Sequence, residues 1–222
     1  GFDIVVPSDV IVTLMVDEGL VLELDKSNIP NWANLDPTFL DLPFDPGNRY
    51  SAPYQWGTVG IGYNTEKVDE VTSWADLFAY DGPVAWLEDT TAFIGVGLIM
   101  TGHDPNSESP AAIREAAQFL IDNGGNVVYI AKDDGQEMLV RGEVDMAIEY
   151  SGDIFQIMDE CECDTYAYVI PEEGTNFWLD SLVIPAGAPN KALAATFIDY
   201  VLDPHVGASI ANYTAYGSPN QA

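Results

Sequence analysis

The reactive inventory of this 222-residue chain is 36 Asp and Glu, seven Lys and Arg, two histidines and two cysteines. With His103 and His205 the only imidazoles, acid–base chemistry would fall to carboxylates. Asp133-Asp134, Glu88-Asp89 and Glu172-Glu173 are neighbours in sequence. Adjacent acids, however, usually mark a solvated loop, a turn or a helix N-terminus rather than an acid working beside a base. Cys161 and Cys163 lie one residue apart and far in sequence from both histidines, which makes a poor metal site. Either a local disulfide or two inert thiols fits them. Gly60-Ile61-Gly62 and Gly95-Val96-Gly97 lack the third glycine and the downstream acid of a dinucleotide fingerprint. There is no Gly-Lys-Ser/Thr phosphate loop, no His-Glu-x-x-His and no Gly-x-Ser-x-Gly elbow. A carboxylate-pair hydrolase is the enzymatic reading that remains, and the chain is expected not to be an enzyme.

A formal net charge of -29 argues against nucleic acid, which is gripped by cationic side chains, and against anionic membrane surfaces. Most of these carboxylates read as a solvated acidic surface suited to a salty habitat, because a small cation touches few of them. Hydrophobic residues make up 47%, and no apolar run approaches the ~20 residues of a membrane helix. The length suits one large or two small cores.

The elements that must position any site alternate in type. Asp3 to Val6 reads as a strand, and Ser8 caps a helix stopped by Gly19. Residues 25–50, rich in Pro, Asn and Asp, read as loop. Strands are expected at 58–63, 84–87, 127–130, 144–149, 166–170 and 177–184. Helices are expected from Thr72 or Ser73 to Phe78, and over 91–100, 110–122, 135–140 and 191–202, with Asp203-Pro204 opening another. This alternation predicts α/β lobes with largely parallel sheets, whose ligands bind beyond the carboxyl ends of strands. The Ser8-Asp9, Trp56-Gly57, Tyr150-Ser151 and Trp178-Asp180 junctions are therefore the places for a site.

Six stretches closely resemble the spermidine/putrescine-binding proteins of ABC importers. They are Asp3-Ile4-Val5-Val6-Pro7-Ser8, Asn34-Leu35-Asp36-Pro37, Pro43-Phe44-Asp45-Pro46, Tyr50-Ser51-Ala52-Pro53-Tyr54-Gln55-Trp56-Gly57-Thr58, Thr72-Ser73-Trp74-Ala75-Asp76-Leu77 and Phe177-Trp178-Leu179-Asp180-Ser181-Leu182-Val183-Ile184-Pro185. The resemblance implies a type II periplasmic-binding-protein fold of two α/β lobes with a ligand cleft between them. Residues 1–57 and 178–222 would form one lobe and 61–176 the other. The chain is expected to be incomplete at both ends, with a first strand before Gly1 and closing helices after Ala222.

Carried over residue by residue, the resemblance implies a ligand site of Ser8, Tyr150, Asp153, Trp178 and Asp180. On its own Trp178 reads as a core aromatic, Asp180 as a strand-end cap and Ser8 as a helix cap; the motif turns all three toward a ligand. Residues two apart on a strand point the same way, so Trp178 and Asp180 would present an indole face and a carboxylate together. Glu149, next to Tyr150, could face the cleft, although the same alternation points it away. The pattern departs from the family at Phe93, aligned with an acid that Glu88 or Asp89 could replace only if their loop shifts, and at Val10, where spermidine binders tend to carry tyrosine. One anchor is thus expected to be lost, favouring a shorter or singly charged ligand. The implied function is that of a solute-binding subunit that captures a small cationic amine such as putrescine or spermidine and delivers it to a permease. It would work as a monomer in the periplasm or outside the cell, tethered or not, without cofactor or metal. An amino-acid derivative or a metal chelate on the same fold is the alternative ligand.

Overall fold

A computed structural model describes residues 1–132 and 134–221. Asp133, half of one acidic pair, and Ala222 lie outside the described residues. The chain divides into two compact units, Gly1–Gly57 with Trp178–Ala222 and Thr58–Phe177.

In the first unit, residues 25–50 carry three short 3₁₀ helices, Lys26–Asn28, Pro30–Asn34 and Pro37–Phe39. Prolines and Asx side chains start them: Asp25 and Asp36 accept the Ser27 and Thr38 amides. Helix α1, Asp9–Asp17, follows a short segment bridged at Val5↔Val183 and Ser8↔Asp180 to β6, Phe177–Val183. Helix α7, Lys191–Val201, packs Ala194, Ile198 and Val201 over Leu24, Ile29, Leu182 and Ile184, and α8, Pro204–Thr214, adds Ile210. Asp203 caps α8 by accepting the His205 and Val206 amides, with Pro204 preset for its first turn.

The second unit begins within β1, Ser51–Asn64, and holds the sheet β3-β2-β4-β1-β5. Its other strands are β2 (Val84–Leu87), β3 (Val127–Ala131), β4 (Met146–Tyr150) and β5 (Tyr166–Val169). Parallel pairing is confined to β2 with β3 and β4; β1 runs antiparallel to β4 and β5. The sheet is therefore mixed rather than largely parallel, because alternation tells which strands follow helices, not which strands become neighbours. Around it lie α2 (Trp74–Ala79), α3 (Thr90–Met100), α4 (Pro110–Asn123) and α5 (Gly135–Arg141). Ser73 and Asp76 close a capping box on α2.

No element is expected from sequence between Glu149 and Tyr166, yet α6, Ser151–Cys161, occupies it. Its buried face, Ile154 and Ile157, joins the core of Ala85, Leu139, Val144 and Ala147. Its start is hidden because Tyr150, a poor capping residue, stands at the N-cap. Of the two states open to the cysteines, the disulfide Cys161–Cys163 is formed, beside the end of α6.

Candidate functional site

In the first unit the Ser8↔Asp180 bridge sets two of the expected site residues side by side, and Ser181 donates to the Pro7 carbonyl at 3.0 Å. Strand alternation then works as it must. Leu179 points into the core, 0% exposed, while Trp178 and Asp180 are half-buried on the other face. Ser8 occupies the N-cap of α1, but its hydroxyl makes no capping bond; Asp9 takes the Val10 amide instead. The capping role expected of Ser8 is thus corrected.

Burial, and after it the negative charge of Asp9, holds the Asp180 carboxyl above the usual carboxylate range. Tyr54 is near enough that Asp180's charge adds to burial in raising its phenol. Trp178 meets Tyr216 edge-on, with ring centroids 5.0 Å apart and planes at 75°. Tyr216 is a neighbour of the candidate site that sequence reasoning missed. It is pinned by the Trp56↔Gly217 bridge, where a Cβ on Gly217 would fall 2.2 Å from the Trp56 ring. The signal was available as a tyrosine directly before a glycine after a helix, but it names no partner. The unit therefore gathers Asp180 and Asp9 with an aromatic pair.

In the second unit β2 and β4 are adjacent and parallel, so their carboxyl ends lie on one edge of the sheet. Beyond β2, Asp89 uses Oδ1 to cap α3, accepting the Thr91 and Ala92 amides. Its Oδ2 accepts the phenol of Tyr150 at 3.1 Å. Asp153 stands in the first turn of α6, where the helix dipole favours a carboxylate. Asp89 thus joins Tyr150, while Glu88 stays exposed. Phe93 packs on Trp86 with centroids 4.8 Å apart, an apolar contact and no anchor for a cation.

Tyr50, Tyr54 and Tyr63 occupy different surroundings: Tyr50 lies beside Val12 and Val183, Tyr54 beside Asp180, and Tyr63 is buried in β1. Among the described residues no group of three or more His, Cys, Asp or Glu is placed to hold a metal ion.

The model for bacterial extracellular solute-binding proteins matches residues 1–222. The spermidine/putrescine-binding periplasmic protein of Escherichia coli K12 is 38% identical over 227 residues, covering 100% of this chain and 64% of that protein. The putrescine-binding periplasmic protein SpuD of Pseudomonas aeruginosa is 31% identical and covered over 66% of its length. The chain thus spans about two-thirds of the length of these relatives.

Among solved structures, the spermidine/putrescine substrate-binding protein PotD of Streptococcus pneumoniae superposes with a TM-score of 0.88 at 34% identity, covering 99% of this chain and 68% of that one. The TpPotD lipoprotein of Treponema pallidum gives 0.92 at 26% identity, covering 97% and 70%. The type II periplasmic-binding-protein fold expected from sequence is the fold of these structures. By its match along all 222 residues, the chain belongs to the bacterial extracellular solute-binding protein family.

Proposed function

We propose that the protein is the solute-binding component of an ABC importer, capturing a small cationic amine of the putrescine and spermidine type and handing it to a permease. The observation that carries this reading is Asp180. It is a half-buried carboxyl held protonation-prone by burial and by Asp9, set on one strand face with Trp178 and its edge-on partner Tyr216. A cation relieves what burial and like charge impose on such a group. The names of the relatives, which bind spermidine or putrescine, point to the same chemistry.

The two compact units are read as the two lobes of such a binder. Each offers an aromatic ring and a carboxylate suited to one ammonium group: Trp178 with Asp180 in one, Tyr150 with Asp89 and Asp153 in the other. Ser8, beside Asp180, adds a hydroxyl. An ammonium over an indole gains roughly 0.5–2 kcal/mol, and a charge-assisted hydrogen bond roughly 1.5–3 kcal/mol. A four-carbon stem adds about 3 kcal/mol at ~0.8 per CH₂. One such anchor with the stem therefore supplies about 5–8 kcal/mol, which approaches the ~8 kcal/mol of a micromolar site. The protein is read as a monomeric binder and not an enzyme, working in the periplasm or outside the cell, with no role for nucleic acid.

Calorimetry against putrescine, spermidine and a monoamine tests the reading. Micromolar binding of at least one diamine or triamine is expected, with the monoamine weaker. No heat with any amine sinks it.

A further inference from the structure

Glu149 is 0% exposed in a strand whose preceding residues, Met146, Ala147 and Ile148, are apolar and buried. A carboxyl in such a place is costly unless hydrogen bonds hold it, so its surroundings should show what it is for. Its Oε1 accepts the backbone N–H of Tyr150 at 3.0 Å. Tyr150 is the N-cap of α6, its side chain caps nothing there, and its phenol is engaged by Asp89. The other oxygen, Oε2, is seated over Gly135 at the start of α5, where an added Cβ would stand 2.4 Å from it. Gly60 lies opposite Glu149 in the β1–β4 register, and the room there is filled by the Tyr168 ring, 2.5 Å from where a Cβ would stand. Gly135 thus leaves room for the carboxyl, and Gly60 leaves room for the Tyr168 ring. Strand alternation sets Glu149 and Tyr150 on opposite faces, yet Glu149 holds the Tyr150 amide.

We propose that Glu149 is a positioning residue for the amine site: seated over Gly135, it grips the Tyr150 amide and fixes the strand-to-helix turn that presents Tyr150 and Asp153. The proposal rests on the reading of those two residues as ligand contacts, and its test separates the two ideas. Glu149→Gln keeps an acceptor oxygen in the same volume. Glu149→Leu removes the acceptor and leaves the Tyr150 N–H without it, at a cost in stability of about 1–3 kcal/mol.

Putrescine calorimetry on the full chain should give a Gln variant within about threefold of the parent and a Leu variant about tenfold weaker. Gly135→Ala pushes Oε2 aside without altering Glu149, and alanine suits the helix it enters. It should weaken binding in the same direction, and it carries the test alone if the Leu variant does not fold. Amide hydrogen exchange at Tyr150, followed by NMR without ligand, reads the grip itself. Exchange should be slow in the parent and the Gln variant and at least about tenfold faster in the Leu and Ala variants.

Unchanged putrescine affinity in both the Leu and Ala variants overturns the proposal. A Gln variant as weak as the Leu variant also overturns it, since charge and not an acceptor would then carry the effect. If the parent gives no heat with any amine, the amine reading fails, and exchange at Tyr150 decides the positioning role by itself.

Discussion

Two influences act on the carboxyl of Asp180 in the same direction: burial removes water from it, and Asp9 places a second negative charge nearby. Its folded pKa therefore lies above its unfolded value of about 4. The folded state then holds a proton that the unfolded state releases, and the stability this contributes is present at low pH. It is lost as pH rises from about 4 through the raised folded value, and nothing further changes above it. A bound ammonium reverses the preference by favouring the ionised form. Amine binding should accordingly expel a proton and tighten with rising pH across the same window. Asp180→Asn should abolish that pH dependence, leave the melting temperature unchanged or higher, and weaken putrescine about 10- to 100-fold, as expected for a lost charge-assisted hydrogen bond of roughly 1.5–3 kcal/mol. Titrations in two buffers of different ionisation enthalpy count the protons. Release that persists in the Asn variant would assign the effect to another acid.

Helices α3 and α4 approach so closely that a Cβ on Gly97 would lie 2.9 Å from the Ala116 carbonyl oxygen, a backbone atom that cannot swing aside. Alanine would gain up to about 1 kcal/mol of helix propensity, but overpacking a fixed backbone costs about 1–3 kcal/mol. The second effect wins. Gly97→Ala should lower stability by about 1–2 kcal/mol in urea unfolding with no change in slope, and a stabilised variant would mean that the helices part without cost.

This is also the scale at which sequence was most and least legible. Elements announced by local chemistry were readable: the capping box of Ser73 and Asp76, the Asp203-Pro204 start of α8, and the apolar run of β2. Helix α6 was not, because its cap carries tyrosine and its polar face resembles a loop. The antiparallel entry of β1 beside β4 was not either, since register is decided by which strands meet. At the candidate site, the family motif singled out Trp178 and Asp180, and strand alternation told only that they share a face. Asp89 and Tyr216 depended on contacts across the fold, with the Tyr150 phenol and with the Trp178 ring, that no local pattern records.

A net charge of -29 on 222 residues sets the behaviour of the protein as a body. Ion pairs among the described residues join Arg49 to Glu23, Lys67 to Asp145, His103 to Glu115, and Arg141 to Glu137 and Glu143. Most of these side chains are well exposed, and pairs of that kind contribute about 0–1 kcal/mol each. They cannot offset the mutual repulsion of the remaining carboxylates, which favours any expanded state. Salt should therefore stabilise the fold. The screening length falls from about 10 Å at 0.1 M to about 3 Å at 1 M, so most of the gain should come within that range and then level off. A rise in melting temperature of about 2–4 °C corresponds to about 1 kcal/mol for a chain of this size. Equal rises with sodium and potassium chloride would identify screening, whereas a flat response would show that the acidic surface carries no strain. The same field draws a cationic amine inward, so its association rate should fall over the salt range in which stability rises. Stopped-flow binding and thermal melts on the same samples would measure both, and opposite slopes are the expected signature of one charge distribution acting on the fold and on the ligand.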